Sequence, residues 1–426
     1  MKRGIGLVVL GLALGCSGDD GGGGGGTTGT GTGDSSGTGT GSGSGSGSAT
    51  TASVGSSGGE TTEGVGSTGI VDTCGDGIVD VGELCLGEAV NVLAGLSPVE
   101  VVLADVDGDG DLDALTANFG SNDHSVMLGA GDGTFAEPVN YPGGLSPRGV
   151  TVGDVNGDGF LDMAGAESMT QYVAIYTGDG TGAFSDQMPA GIMDLPRSVV
   201  LADMDEDGLD DIVALGEASA DVTIRISDGM GMFGAAASHP VGPAPFDLTV
   251  VDLDGDQNLD VAVANEGEAS VSVLLGDGTG TLGAETRWEV ADGPRGVTAA
   301  DMDGDGNLDL VTASFDAEQL TILYGDGTGA FSRPATFGAG QQPYVVEVAD
   351  INGDDRLDMV TVNRAVAEVS VYLAGEVDGE YTLGATVDVV LNPVSLAIGD
   401  LDGDGALDVI TAGSGANALS VILAQP

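Results

Sequence analysis

The sequence predicts an all-β protein, a seven-bladed β-propeller built from four-stranded blades. An acidic loop recurs seven times, starting at residues 105, 154, 203, 252, 301, 350 and 400, with a step of 49 residues five times and then 50. Each repeat contains four short apolar segments separated by Gly- and Asp-rich turns. A period of this size is typical of propellers, solenoids and arrays. The segments at the two ends of the repeat array complement each other, which favours a closed ring.

The composition excludes some classes of partner. The 426 residues carry a formal net charge of −57, with only ten Lys and Arg. Nucleic acids and anionic lipid surfaces are polyanions and repel such a chain, so we expect no nucleic-acid partner. Aromatic residues make up 4% of the chain while hydrophobic residues make up 41%, so the core is expected to consist of Val, Leu, Ile and Ala.

Residues 1–15 are typical of a secretory signal peptide, because a basic start precedes an apolar run too short to span a bilayer. The run ends in the letters LALGC at Cys16 and resembles a bacterial lipobox, although Ala13 stands where that motif usually has leucine. The resemblance implies a lipid on Cys16, and Ser17 after it implies the outer membrane or cell surface. Ordinary signal cleavage beside an unmodified cysteine is the alternative.

Residues 16–70 are mainly Gly, Ser and Thr, so after Cys16 we expect a flexible, disordered tether that buries no core. Residues 71–85 contain Cys74 and Cys85 in the pattern CGDG…GELC. This pattern resembles a short cysteine-rich repeat of myxobacterial-type surface proteins, although Leu86 replaces the usual aspartate. Export of the protein would permit a disulfide between the two cysteines. A two-cysteine metal site is the alternative, but it lacks further ligands nearby.

Residues 86–426 are the predicted propeller. Each unit begins with a proline and continues with an apolar strand, the acidic loop, a second strand, a polar loop, a third strand, a Gly-rich turn and a fourth strand. Residues 86–93 align with a fourth strand, whereas the last repeat stops after its third, at residues 419–423. We therefore expect the N-terminal strand to complete the last blade and close the ring.

Each acidic loop reads D-x-[DN]-x-D-x-x-x-D, and its positions are numbered one to nine. Positions one, three, five and nine are Asp or Asn in all seven copies, and alternate oxygens of a tight loop converge on one point, as calcium requires. Position seven varies freely, so its backbone carbonyl is the expected ligand. Position six is Gly in five copies, and we expect strain at Gln257 and Asp355, which replace it.

This pattern predicts about seven calcium ions, one per blade. Magnesium favours stricter geometry, and ion-free Asp-Gly turns are the other alternative. The predicted ligands are Asp105, Asp107, Asp109, Asp111 and Asp113; Asp154, Asn156, Asp158, Phe160 and Asp162; Asp203, Asp205, Asp207, Leu209 and Asp211; Asp252, Asp254, Asp256, Asn258 and Asp260; Asp301, Asp303, Asp305, Asn307 and Asp309; Asp350, Asn352, Asp354, Arg356 and Asp358; and Asp400, Asp402, Asp404, Ala406 and Asp408.

With these loops the chain resembles the FG-GAP/VCBS repeat family, which includes the seven-bladed propeller of integrin α-subunit heads. The resemblance implies calcium loops on one face and ligand binding on the opposite face. Carried onto this chain, the ligand face holds the residues that follow the inter-blade prolines, Arg148, Arg197, Phe246, Arg295 and Tyr344. The arginines would bind an anion or a carboxylate-bearing ligand, unless each pairs with a local acid such as Glu100, Asp194 or Asp292.

Three classes of function stay open. The preferred one is a recognition or adhesion module for an extracellular or envelope protein or glycan, monomeric and membrane-attached only through its lipid. Unequal loops between second and third strands favour it. Glu167, Glu217 and Glu266 occupy roughly corresponding places, so the alternative is a carboxylate-based polysaccharide-degrading enzyme, a glycosidase or lyase. The third is a structural surface protein without a defined ligand. Trp288 is expected to pack rather than stack on a sugar.

Overall fold

The structure is a computed structural model that describes residues 84–191, 194–332, 334–377 and 379–425. The predicted signal peptide, Cys16, the linker and Cys74 lie outside the described residues. Cys85 is disulfide-bonded, and its pairing with Cys74 stays a prediction. Among the described residues there is no helix of the length and apolar character that crossing a bilayer demands.

The described residues form seven antiparallel sheets of four strands each, the blades. Blades 1 to 3 comprise β2 (Pro98–Ala104), β3 (Asp113–Asn118), β4 (Asp123–Met127) and β5 (Val139–Pro142); β6 (Pro147–Gly153), β7 (Asp162–Glu167), β8 (Tyr172–Tyr176) and β9 (Met188–Ala190); and β10 (Pro196–Ala202), β11 (Asp211–Gly216), β12 (Asp221–Arg225) and β13 (Ala237–Pro240).

Blades 4 to 6 comprise β14 (Pro245–Val251), β15 (Asp260–Asn265), β16 (Ser270–Leu274) and β17 (Thr286–Glu289); β18 (Pro294–Ala300), β19 (Asp309–Ser314), β20 (Gln319–Leu323) and β21 (Ala335–Gly338); and β22 (Pro343–Ala349), β23 (Asp358–Asn363), β24 (Glu368–Ala374) and β25 (Tyr381–Asp388). Blade 7 comprises β26 (Pro393–Gly399), β27 (Asp408–Gly413), β28 (Ala418–Ile422) and β1 (Val90–Leu93). A short 3₁₀ turn, Glu266–Glu268, follows β15.

The N-terminal strand closes the ring, as the sequence predicts. β1 pairs antiparallel with β28, with Val90 opposite Val421, and Leu86 forms a bridge with Ala424. Blade 7 therefore takes its outermost strand from the start of the propeller and the other three from its end. This arrangement gives the last blade the same four strands as the others and leaves no open end to the array.

The core lies between blades. The second strands, such as β11, are buried along their whole length, because each is covered on both faces by neighbouring blades. Val, Leu, Ile and Ala fill these spaces, as in the cluster that holds Val213, Leu215, Val261 and Val263. The outermost strands, such as β5, are mostly exposed, so apolar side chains concentrate toward the axis.

The first strands are innermost. Those of successive blades contact one another around the ring, and β26 contacts β2. Each first strand begins at its proline and ends just before its acidic loop. The prolines and the acidic loops therefore lie at opposite ends of the innermost strands. We call these two ends of the propeller the pocket face and the loop face.

Candidate functional site

The acidic loops bring carboxylates together on the loop face. In five loops, carboxylate oxygens from three side chains lie within 4.8 Å of one another. These groups are Asp105, Asp107 and Asp113; Asp203, Asp205 and Asp211; Asp252, Asp254 and Asp260; Asp301, Asp303 and Asp309; and Asp400, Asp402 and Asp404. In the loops of blades 2 and 6, position three is Asn156 or Asn352. Such clusters are able to hold metal ions.

Each loop is folded by its own aspartates. In blade 1, Asp105 accepts hydrogen bonds from the backbone N–H groups of Gly108 (2.7 Å) and Gly110 (3.0 Å). Asp109 accepts one from the N–H of Asp111 at 3.0 Å. These bonds require a left-handed residue at position six, whose φ ranges from 64° at Asp355 to 96° at Gly110. Gln257, with φ of 78°, and Asp355 bear side chains in this region, which favours glycine.

The ninth aspartate has a structural role that the sequence does not reveal. Asp113 is buried, and its two oxygens accept backbone hydrogen bonds from Val106 and Gly129, both at 2.8 Å. The same pair of bonds recurs in every blade. It ties the start of the acidic loop to the end of the third strand. An invariant aspartate at this position therefore stabilises the blade with or without an ion.

Burial makes the ninth aspartates costly to ionise, and a cation would offset that cost. Desolvation, with the loop's other carboxylates, raises the pKa to about 6 at Asp113 and about 7 at Asp211. Beside Asp211, Asp205 Oδ1 is buried without a hydrogen-bond partner among the described residues. Positions one, three, five and nine would hold the ion, since clustered oxygens with unmet charge are the ligand set that calcium prefers.

The loops also fasten neighbouring blades. In blades 1, 2 and 4, the Gly-rich turn between third and fourth strands donates a backbone hydrogen bond to the carbonyl of position two in the preceding blade's acidic loop. Gly133 N–H bonds to Leu401 (2.9 Å), Gly182 to Val106 (3.3 Å) and Gly280 to Met204 (2.9 Å). An ion that stiffens one loop would therefore also stiffen a contact between two blades.

Asp210 is an inter-blade contact that departs from the repeat. It occupies position eight, where the other six loops have leucine. Its carboxylate reaches blade 2 and accepts a hydrogen bond from Asp154 N–H at 2.7 Å. Gly153 makes room, because a Cβ there would lie 2.5 Å from Asp210 Oδ2. Burial raises the pKa of Asp210 to about 6. Only the break in the leucine pattern hints at this role in the sequence.

The pocket face contains a cavity of about 400 Å³ at the propeller axis. All five predicted ligand-face residues, Arg148, Arg197, Phe246, Arg295 and Tyr344, line it. In blade order around the rim they are two adjacent arginines, then Phe246, Arg295 and Tyr344. The Arg197 guanidinium lies 3.2 Å from the ring centroid of Phe246, and that of Arg295 lies 3.5 Å from the ring of Phe315. Stacking holds the guanidiniums in fixed orientations at the mouth of the cavity.

Rim arginines pair with acids other than the ones expected. Arg148 and Arg197 share Glu217, at 3.1 and 3.4 Å, and Arg295 binds Glu266 at 2.6 Å. The alternative partners named from the sequence, Glu100, Asp194 and Asp292, form none of the ion pairs among the described residues. Glu217 and Glu266 come from turns after second strands, and the packing of adjacent blades brings them beside the rim arginines.

Three further acids line the inner part of the cavity, and sequence reasoning did not single them out as a group. Glu100, Asp247 and Glu347 lie on first strands deeper than the rim. Burial is the largest cause of a raised pKa in all three, to about 8 for Glu100 and Glu347 and about 6 for Asp247. Their mutual repulsion adds to the shifts at Glu100 and Glu347. We call these residues the channel acids.

Glu167 and Trp288, two further side chains considered in the sequence, have pairing and packing roles. Glu167, a candidate for carboxylate catalysis, is fully buried and lies 2.9 Å from His124 Nε2. Glu167 is not among the residues that line the cavity, whereas Glu217 and Glu266 pair with the rim arginines. The Trp288 ring packs edge-on against Phe331, with centroids 5.7 Å apart, in agreement with the packing role expected for it.

Solved structures share the fold at low sequence identity. A virginiamycin B lyase from Staphylococcus aureus superposes with a TM-score of 0.57 at 11% identity, covering 79% of this chain and 98% of its own. BBS1N, in complex with ARL6DN, gives 0.55 at 15% identity, covering 80% and 97%. A protein from Desulfotomaculum acetoxidans gives 0.52 at 11%, covering 72% and 98%. These likenesses show the fold alone, and the fold accommodates both a lyase and a protein that forms complexes.

None of the curated proteins matches the chain by sequence. The FG-GAP-like repeat matches in five overlapping copies, at residues 105–165, 154–214, 204–263, 252–312 and 301–361. Each copy runs from one acidic loop through the next, so it covers the loop and strand pattern described above. Together they span more than half of the sequence, and the chain therefore belongs to the FG-GAP-like repeat family.

Proposed function

We propose that this protein is a calcium-stabilised recognition module that binds an extracellular or envelope protein or glycan through the axial cavity. The observation that carries the proposal is the rim of stacked arginines and aromatic rings around a cavity of about 400 Å³. Ligand sites in proteins are typically cavities of about 300 to 1,000 Å³ with a few oriented polar groups. The predicted lipid on Cys16 would present the module at the outer membrane or cell surface.

The rim suits an anionic group on the ligand. Four arginines line the cavity (Arg148, Arg197, Arg295 and Arg364), whereas two glutamates pair with three of them. The rim therefore keeps a positive excess. Guanidiniums that are already stacked and hydrogen-bonded lose little conformational freedom on binding a carboxylate or sulfate.

Calcium has a structural part in this proposal. Seven acidic loops, each built around positions one, three, five and nine, would hold about seven ions on the loop face. Filling them neutralises carboxylates at the inter-blade contacts and stiffens the ring that shapes the cavity. Calcium dependence of binding is then indirect, since the loops and the rim lie at opposite ends of the first strands.

The test is binding to glycan and envelope-protein arrays with calcium and with chelator. We expect calcium-dependent binding that Arg295→Ala weakens about tenfold or more, the loss of a charged hydrogen-bonding group. Arg287→Ala is the matched control, because Arg287 also pairs with glutamates but lies on the outermost strand β17. The triple variant of Arg148, Arg197 and Arg295 to Ala should abolish binding. Unchanged binding by the triple variant would reject the rim as the site.

A carboxylate-based glycosidase or lyase is the second candidate, favoured by the raised pKa values of Glu100 and Glu347 in a cavity. Perturbed carboxyls that line a cleft are typical of acid–base catalysts. Incubating the same glycans over time distinguishes the two functions, because an enzyme releases product whereas a recognition module leaves the bound glycan intact. Product release that Glu347→Gln abolishes would favour the enzyme.

A further inference from the structure

The inner end of the axial cavity is acidic although its rim is cationic. The channel acids Glu100, Asp247 and Glu347 come from blades 1, 4 and 6 and line the same cavity as the rim arginines. None of the ion pairs among the described residues includes any of the three. The chemistry of the cavity lining therefore changes along the axis, from guanidinium groups at the rim to carboxyl groups at the inner end.

The protein itself satisfies the channel acids only in part. Glu100 Oε2 accepts a hydrogen bond from Val150 N–H at 2.7 Å, and Asp247 Oδ2 accepts one from Val297 N–H at 3.2 Å. Both donors belong to the next blade. Glu347 Oε2 is inaccessible to solvent and has no hydrogen-bond partner among the described residues, while the rest of the side chain is partly exposed. Thr298 hydrogen-bonds to the Glu347 carboxyl, so the unpartnered Oε2 is the atom to which a cationic group would add a hydrogen bond.

We propose that the channel acids bind a primary ammonium or guanidinium group of the ligand, while the rim arginines hold an anionic group of the same molecule. The inference rests on the proposed function, because it assigns the second half of the same cavity. The ligand class is an amphoteric one, such as a peptide that presents a lysine or arginine side chain beside a carboxylate. It enters with its cationic end inward.

The spacing along a first strand fits such a ligand. Tyr344 at the rim and Glu347 in the channel are three residues apart on β22, and because the strand bulges between Pro343 and Val346 they are separated by less than the ~10 Å of a regular strand. A lysine-like aliphatic chain bridges a distance of this order. Partly exposed valines also line the cavity, among them Val99, Val102 and Val345, and they supply apolar contacts for the methylene groups.

A directly coordinated metal ion fits the channel less well. Oxygens of the acidic loops converge within 4.8 Å, but the three channel acids do not form such a group. Calcium ligands must all lie at about 2.4 Å from one centre. An organic cation is larger, and it can contact Glu347 directly while Glu100 and Asp247 stabilise its charge from farther away.

The experiment is isothermal titration of the calcium-loaded protein with three probes. ε-Aminocaproate carries both charges, hexanoate carries only the anion, and hexylamine carries only the cation. We expect all three to bind, ε-aminocaproate most tightly. Glu347→Gln should lower the affinities for hexylamine and ε-aminocaproate about tenfold or more, as expected for the loss of a charged hydrogen bond. The affinity for hexanoate should stay unchanged or increase. Arg295→Ala should lower the affinities for hexanoate and ε-aminocaproate but leave the affinity for hexylamine unchanged.

Controls keep the result interpretable. Glu289→Gln makes the same chemical change on the exposed strand β17 and should alter none of the three affinities. Thermal melting in calcium checks that each variant is folded. Glu100→Gln and Asp247→Asn, which alter the other channel acids, replace Glu347→Gln if that variant does not fold.

The outcomes separate the two proposals. Hexanoate binding without hexylamine binding overturns the channel-acid inference and leaves the rim proposal intact. Hexylamine affinity that is equal in the wild type and Glu347→Gln overturns it as well. So does hexylamine binding that falls as calcium is raised, because a metal ion would then occupy the channel. Hexylamine binding that Glu347→Gln weakens, with no hexanoate binding, supports the channel acids and contradicts the rim.

Discussion

His124 Nε2 and Glu167 Oε1 lie 2.9 Å apart between the first and second blades, and both side chains are fully buried. At the place of Glu167, blades 1, 4 and 6 have asparagine, which donates to a serine on the third strand. Blade 2 has Ala174 in place of that serine, so Glu167 binds the preceding blade instead. Gly165 leaves the space that the His124 ring fills. The pair is thus a local substitute for the repeated Asn–Ser bond.

Glu167→Ala should destabilise the protein by about 2–4 kcal/mol, because it leaves the His124 ring buried without its partner. Urea unfolding in calcium measures the change. The triple variant His124→Val, Glu167→Asn and Ala174→Ser rebuilds the pattern of the other blades and should recover most of the loss. Glu289→Ala, at an exposed site, should change stability by less than about 0.5 kcal/mol. A Glu167→Ala variant as stable as that control would contradict a structural role for the pair.

Chelation should lower the melting temperature strongly. A single site at about 100 times its dissociation constant contributes about 2.7 kcal/mol to the free energy of unfolding, and seven loops contribute together. Differential scanning calorimetry in calcium and then in EDTA measures the effect, and adding calcium back should restore the melting temperature. Magnesium should restore less of it, since it favours octahedral geometry with retained waters. Identical melts in calcium and EDTA would contradict the calcium assignment.

Without calcium, stability should fall as pH rises from about 4 to about 7. Burial raises the pKa of all seven ninth aspartates in the folded protein, to about 6 at Asp162 and about 7 at Asp309, for example. The native state therefore binds more protons than the unfolded chain, and its advantage is lost as these groups ionise. Melting in EDTA across this range tests the sign. Calcium should reverse the trend, because it binds the ionised carboxylates.

Gln257→Gly and Asp355→Gly should each stabilise the protein by roughly 1 kcal/mol, since both side chains are held at positive φ. Gly306→Ala, at the same loop position in blade 5, should destabilise it by a similar amount. Chemical denaturation in EDTA isolates the backbone effect from calcium binding. If both glycine variants lost stability, hydrogen bonds of the replaced side chains would outweigh the strain.

Hexylamine affinity for the axial cavity should rise with pH from about 6 to about 9, where the ligand stays protonated. Burial raises the pKa of Glu100 and Glu347 to about 8 and that of Asp247 to about 6, so the bound ammonium must displace protons at lower pH. The titratable and charged groups that line the cavity are Glu100, Arg148, Arg197, Asp247, Arg295, Tyr344, Glu347 and Arg364.

Titration in buffers of different ionisation enthalpy measures the proton release directly. The affinity should rise by up to about tenfold per pH unit below the pKa if one proton is displaced. Hexanoate is the control, since its anion binds the arginine rim and should not show this increase. A pH-independent hexylamine affinity without proton release would contradict ammonium binding at the channel acids.

The sequence by itself determined the architecture of this protein. A fixed period, seven acidic loops and an unpaired strand at each end specify the blade count and the closure through β1, because local turn chemistry and strand pattern repeat in every unit. The sequence also placed Arg148, Arg197 and Arg295 at equivalent rim positions. Its acidic loops fit a cation, as the convergence of Asp105, Asp107 and Asp113 shows.

Only the tertiary structure decided which of those groups meet. Glu217 pairs with Arg148 and Arg197 although 69 and 20 residues separate them, and the channel acids from blades 1, 4 and 6 share one cavity. A one-dimensional repeat gives each position the same neighbours, whereas ring closure brings side chains of distant blades to a common axis. Their charges and burial there depend on the few positions at which the repeats differ, such as Glu100, Asp247 and Glu347.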